Sequence, residues 1–95
     1  MKTLHNSTVS GAKKNVSDLV VFGNGDVFKL ISKASSKAEG WMKSTKAMEI
    51  DGIGCVVQVT TQQGYNVAEA LTFVPNVKIE LIDGNKENGR KLVSL

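Results

Sequence analysis

Among 95 residues the chain has one cysteine, one histidine, one proline and one arginine, and each scarcity removes a class of explanation. A lone cysteine, Cys55, allows no internal disulfide, the staple that small extracellular domains commonly use in place of a large core, so a reducing, intracellular compartment is expected. One cysteine and one histidine cannot complete a structural zinc site. The acidic side chains are scattered singly, without calcium-loop spacing. The run Asp83-Gly84-Asn85-Lys86-Glu87-Asn88-Gly89 reads as a solvated turn.

Nucleophilic catalysis requires a nucleophile, a base and a group that orients the base. His5 lies in a polar N-terminal stretch and Cys55 falls in mid-strand, where free cysteine is ordinarily a small buried apolar residue. Glu69 and Glu80 fit the wet face of a sheet better than an acid–base pair. Gly23-Asn24-Gly25-Asp26 precedes a strand-like segment rather than the helix a phosphate loop needs. No catalytic residue, metal ligand or cofactor site is therefore assigned, and a non-enzymatic protein is expected.

Long apolar runs are also missing. The longest, Leu19 to Phe22, is far short of the ~20 residues that span a bilayer, and the first eight residues lack the apolar stretch of a signal peptide. A soluble protein with no membrane partner is expected.

Apolar residues make up 41% of the chain, enough for one domain and too few for two cores. The charge is uneven. Residues 1 to 50 hold eight lysines against Asp18, Asp26, Glu39 and Glu49, while residues 51 to 95 are close to balanced. Residues 1–15 are polar and read as a mobile N-terminal arm; residues 16–95 read as a single α+β domain.

Val16 to Phe22 and Val27 to Ile31 are compact apolar segments around Gly23-Asn24-Gly25-Asp26, the pattern of a hairpin. Ala34, Ala38, Trp41, Met42, Thr45 and Met48 then recur at steps of three and four. That spacing predicts an amphipathic α-helix over 37–49, with Ser36 and Glu39 as a capping box and Gly52 as the stop. From Cys55 the period drops to two. Cys55, Val57 and Val59 alternate with Val56, Gln58 and Thr60; Val67 to Val74 is apolar on both faces; Pro75 ends it; Val77, Ile79 and Leu81 form another strand; and Lys91 to Leu95 returns as an edge.

The expected fold is thus α+β: an antiparallel sheet of about five strands with one amphipathic helix packed on one face. Its expected core is Val20, Phe22, Phe28, Leu30, Ala38, Trp41, Met42, Met48, Cys55, Val57, Val59, Leu71, Phe73, Ile79 and Leu81. A helix so placed would leave no reactive cleft.

Two interaction surfaces follow. Apolar residues on both faces of Val67 to Val74 exceed what one helix covers, which points to protein–protein binding, including pairing of edge strands in a homodimer. Lys29, Lys33, Lys37, Lys43 and Lys46, gathered on a strand end and the helix face, offer phosphates a positive surface and make nucleic acid the alternative partner. Against it, the single arginine and few exposed aromatics leave little for bidentate contacts or base stacking.

The segments Gly40-Trp41-Met42-Lys43-Ser44-Thr45-Lys46-Ala47-Met48, Gly54-Cys55-Val56-Val57-Gln58-Val59-Thr60-Thr61-Gln62-Gln63 and Ala68-Glu69-Ala70-Leu71-Thr72-Phe73-Val74-Pro75 resemble small accessory proteins of temperate, lambdoid-type phages and prophages of enterobacteria, over about residues 16 to 80. The resemblance carries over no functional residue. It implies a short accessory protein in a bacterial cytoplasm that binds a host or phage macromolecule.

Overall fold

The computed structural model describes residues 12, 14, 16–23 and 27–95, and it is built from strands. Six follow in order: β1 (Lys29–Ser36), β2 (Trp41–Ile50), β3 (Gly54–Gln63), β4 (Asn66–Pro75), β5 (Val77–Leu81) and β6 (Arg90–Ser94). The first four make an antiparallel meander in the order β1-β2-β3-β4, and β5 pairs with β6 in a second, two-stranded sheet.

The α+β expectation is corrected here, because the segment expected as a helix over 37–49 is a turn followed by β2. Half of the expected capping box does form: the Glu39 N–H donates to Ser36 Oγ at 3.1 Å. It caps no helix. The Gly40 N–H returns to the Ser36 carbonyl oxygen at 2.8 Å, and Gly40 sits at φ 73°, in left-handed space where glycine alone is unstrained. The chain reverses there and enters β2, which pairs on both sides, with β1 and β3. Backbone bonding to two neighbours prevails over a helical spacing that an extended segment also satisfies.

The expected first hairpin is corrected as well. Residues 16–22 adopt no strand, and β1 begins only at Lys29. Val20 and Phe22, expected in the core, are 92% and 98% exposed. Residues 24–26 of the expected turn lie outside the described residues, as does the arm expected over 1–15 apart from Ala12 and Lys14.

Cross-strand partners share a face, so the register sorts the four-stranded sheet into two. One face, called here the covered face, carries Ala47, Cys55 and Val57, all buried, with Ile31, Val74, Val77, Ile79 and Leu92 packed against them. The β5–β6 hairpin lies over this end. A bulge between Leu30 and Ser32 lets Ile31 join the cluster. On the opposite face Met42, Ser44, Thr60 and Gln62 are buried. Of the expected core, Met42, Cys55 and Val57 are buried and Ile79 is half-buried, whereas Ala38, Val59, Leu71, Phe73 and Leu81 are exposed.

Polar contacts fix the second sheet on the first. Glu49 Oε1 accepts from the Ile79 N–H at 2.7 Å, Arg90 Nη1 donates to the Leu30 carbonyl oxygen at 3.1 Å, and the Cys55 thiol donates to the Val77 carbonyl oxygen at 3.7 Å. The connection is very short. Pro75 ends β4, Asn76 alone links it to β5, and its φ of 60° turns the chain from one sheet to the other.

Candidate functional site

The five lysines proposed for phosphate contact are split by the sheet. Lys29 pairs with Ala47 and Lys43 with Thr61, which places both on the covered face. Lys33 pairs with Ser44, and Lys46 with Leu30 and Gln58, which places these on the opposite face. Lys37 lies in the β1–β2 turn. Burial, followed by the charges of Lys46 and Lys37, pulls the Lys33 ammonium below the ordinary lysine value, so these three share a field. The single lysine-rich helix face is therefore corrected to a cluster of three with Lys29 and Lys43 apart from it.

Away from the β5–β6 hairpin the sheet is open. A trough of about 700 Å³ lies there, lined by Ala34, Trp41, Lys43, Thr61, Gln63 and Ala68 among others. The expectation of no reactive cleft rested on the helix over 37–49 and loses that support with it. The indole of Trp41 is half-buried, and its Nε1–H donates to Glu39 Oε2 at 3.2 Å. The trough presents amides, a hydroxyl, one ammonium and an indole.

Titratable chemistry is sparse. Cys55 is buried, and desolvation, helped by the Glu49 charge, pushes its thiol up from the ordinary value. Such a thiol is a poor nucleophile. His5 lies outside the described residues. Among the described residues no three His, Cys, Asp or Glu side chains gather as a metal site would require. Over Asp83–Gly89 the chain makes two short 3₁₀ turns, Ile82–Gly84 and Lys86–Asn88. Asn85 Oδ1 accepts there from the Glu87 N–H at 3.0 Å.

The most exposed organised element is β4. Among the described residues it is the last strand of its sheet, and every residue from Asn66 to Phe73 is exposed. Val67, Leu71 and Phe73, which share one face, are 50%, 63% and 47% exposed. The strand is entered through a two-residue turn in which Gly64 takes φ 58°, the positive first position of a type II′ hairpin.

Two backbone bonds settle which way the polar groups of β4 point. The Asn76 N–H donates to the Ile53 carbonyl oxygen at 2.8 Å, and the Gly64 N–H to the Gly40 carbonyl oxygen at 2.8 Å. Bonded and non-bonded pairs alternate along an antiparallel ladder. It follows that Gly54 and Pro75 form a non-bonded pair, and so do Val56–Phe73, Gln58–Leu71, Thr60–Glu69 and Gln62–Val67. The N–H and C=O groups of Val67, Glu69, Leu71 and Phe73 therefore face away from β3, on the edge that no described strand pairs with. Pro75, which has no N–H, falls on the same side and ends the row.

The other edge is blunted. β1 carries Lys29 and Lys33, is bent by its bulge, and has the Leu30 carbonyl oxygen occupied by Arg90. These are the means by which natural edges resist pairing, and β4 has one acidic residue and no lysine. The two-sided apolar pattern of residues 67–74 is visible in the sequence, but by itself it suggests a covered or central strand. The place of β4 at the edge comes from the strand order, and Pro75, a residue confined to edges and strand ends, is the one local feature that agrees with it.

The model of the Lockin family matches residues 1–93, and the chain belongs to that family. No curated protein and no solved structure matches it. Among the described residues no helix is long and apolar enough to cross a membrane.

Proposed function

We propose that this Lockin-family chain is a non-enzymatic accessory protein that acts by protein–protein binding, accepting a strand at the free edge of β4. The observation that carries the reading is the exposed row of backbone groups at Val67, Glu69, Leu71 and Phe73, flanked by exposed apolar side chains. In strand addition the main-chain bonds supply affinity and alternate side chains supply selection. The likeness to phage and prophage accessory proteins supports a partner of host or phage origin, a second copy of the chain included, and a bacterial cytoplasm as the setting.

The test compares the wild type with Leu71→Pro, which removes one outward N–H and leaves the bonds to β3 in place, a change tolerated on edge strands. Affinity capture from phage-bearing cells is run with and without nuclease. Protein capture that resists nuclease and is lost in the variant supports the reading; capture indifferent to the variant, with its circular dichroism unchanged, refutes it.

Nucleic-acid binding is the second reading, favoured by the nearness of Lys46 and Lys37 to Lys33, whose ammonium their charges help to depress. It requires affinity that falls steeply from low to moderate salt and weakens in Lys37→Glu and Lys46→Glu. No mobility shift of DNA or RNA at low ionic strength removes it.

A further inference from the structure

We propose that the strand accepted by β4 is β4 of a second copy, paired antiparallel about a two-fold axis through Ala70, so that two four-stranded sheets join into one of eight. This rests on the strand-addition reading above and names its occupant.

The free edge restricts how two copies can pair. A two-fold antiparallel pairing sets each outward residue against another outward residue, and the outward set is Val67, Glu69, Leu71 and Phe73. With Ala70 on the axis, Val67 faces Phe73 of the second copy and Glu69 faces Leu71. All four residues then exchange both backbone bonds with a residue that has both groups to give. Sliding the copies by one residue each in one direction stacks Glu69 on Glu69 of the second copy, and directly opposed like charges are destabilising. Sliding in the other direction sets Val67 against Pro75, which has no N–H. The Ala70-centred register avoids both faults.

Side chains agree with this arrangement. Val67 and Phe73, half-exposed in one copy, come together across the junction, and Leu71 lies diagonal to Leu71 of the second copy. The Thr60 hydroxyl donates to Glu69 Oε1 at 3.4 Å, drawing that carboxylate back over its own sheet. On the covered face the residues nearest the axis are Ala68, Ala70 and Thr72, small enough for close approach. The one opposing element is Glu69, which lies diagonal to Glu69 of the second copy, farther away than in the register that stacks the two directly.

A single strand per copy buries less than the ~800 Å² per partner of a standard interface. The dimer should therefore assemble at micromolar rather than nanomolar concentration.

The test combines sedimentation with cross-linking. The wild type is expected to pass from monomer to dimer between about 1 and several hundred micromolar, and Leu71→Pro to stay monomeric. Ala70→Cys places two thiols at a non-bonded pair, where Cα atoms lie about 4.5 Å apart, within disulfide reach. With oxidised glutathione it should run as a covalent dimer. Thr72→Cys alone should not, whereas a mixture of Thr72→Cys and Ala68→Cys should cross-link as a heterodimer. Cys55 is buried and does not compete.

A wild type monomeric throughout, or Ala70→Cys that links no better than Thr72→Cys, overturns the self-pairing. If that monomer still captures another protein in a Leu71→Pro-sensitive manner, only the second copy is wrong. If capture also ignores Leu71→Pro, strand addition itself fails.

Discussion

Gly54→Ala should be the most damaging small substitution in the sheet. Gly54 is buried at the start of β3, and a Cβ placed there would collide with the Val74 carbonyl oxygen, come within 2.9 Å of the Pro75 Cα and approach Phe73 Cζ at 3.2 Å. The first two are backbone atoms of β4 and cannot rotate aside. The methyl must push β4 away from β3 beside Cys55, where the core begins. Overpacking of this kind costs about 1–3 kcal/mol, and the rigidity of the obstacle places this case at ~2–3. A domain this size has about 5–10 kcal/mol in total, and each kcal/mol moves the midpoint by roughly 4–8 °C. A fall of about 10–20 °C in Tm follows, read by circular dichroism at low micromolar concentration, so that association does not contribute. Gly52→Ala is the control. Gly52 has φ 73°, and a methyl on its Cα would meet nothing within 4 Å, so the substitution adds only left-handed backbone strain, about 1 kcal/mol. A Gly54→Ala midpoint within 2 °C of wild type, or above that of Gly52→Ala, would refute the steric argument.

Two further outcomes test the site's electrostatics. The Cys55 thiol should resist iodoacetamide at pH 8 in the folded protein and react on unfolding; because its folded value is raised, the unfolded chain deprotonates first, and stability should decline as pH climbs beyond the ordinary thiol value of about 8.5. Lys33, depressed by burial and by Lys46 and Lys37, should titrate higher in Lys46→Gln and unchanged in Lys43→Gln when its side-chain resonances are followed by NMR; its depressed value also means that its contribution to stability rises as pH climbs from its folded value toward 10.5. A shift of similar size in both variants would place Lys43 on the wrong face.

The C-terminal half of the fold is legible in the sequence because its signals are local and agree with one another. Period-two alternation from Cys55, a glycine at the hairpin turn and a proline at the end of β4 each state their own conformation. The segment around Trp41 misleads because Ala34, Ala38, Trp41, Met42, Thr45 and Met48 satisfy a helical spacing, while the same stretch offers Met42, Ser44 and Met48 to one side of a strand and Trp41, Thr45 and Ala47 to the other. Gly40 is the clue. Its cost in a helix interior is small, but its need for left-handed space in a tight reversal is the deciding requirement. Ala47, fully buried, carries no signal of its own, since alanine fits either state. The edge character of β4 depends on strand order, which no local pattern encodes, so the surplus apolar residues are visible in the sequence and their setting is not.

Asn76 is the only residue between the strand that faces outward and the strand that roofs the interior. Such a hinge has almost no slack. A ligand that stiffens β4 must also restrain Val77 and Ile79, and through Glu49 the middle of the meander, so occupancy at the rim should slow amide exchange deep inside, at positions the ligand never touches.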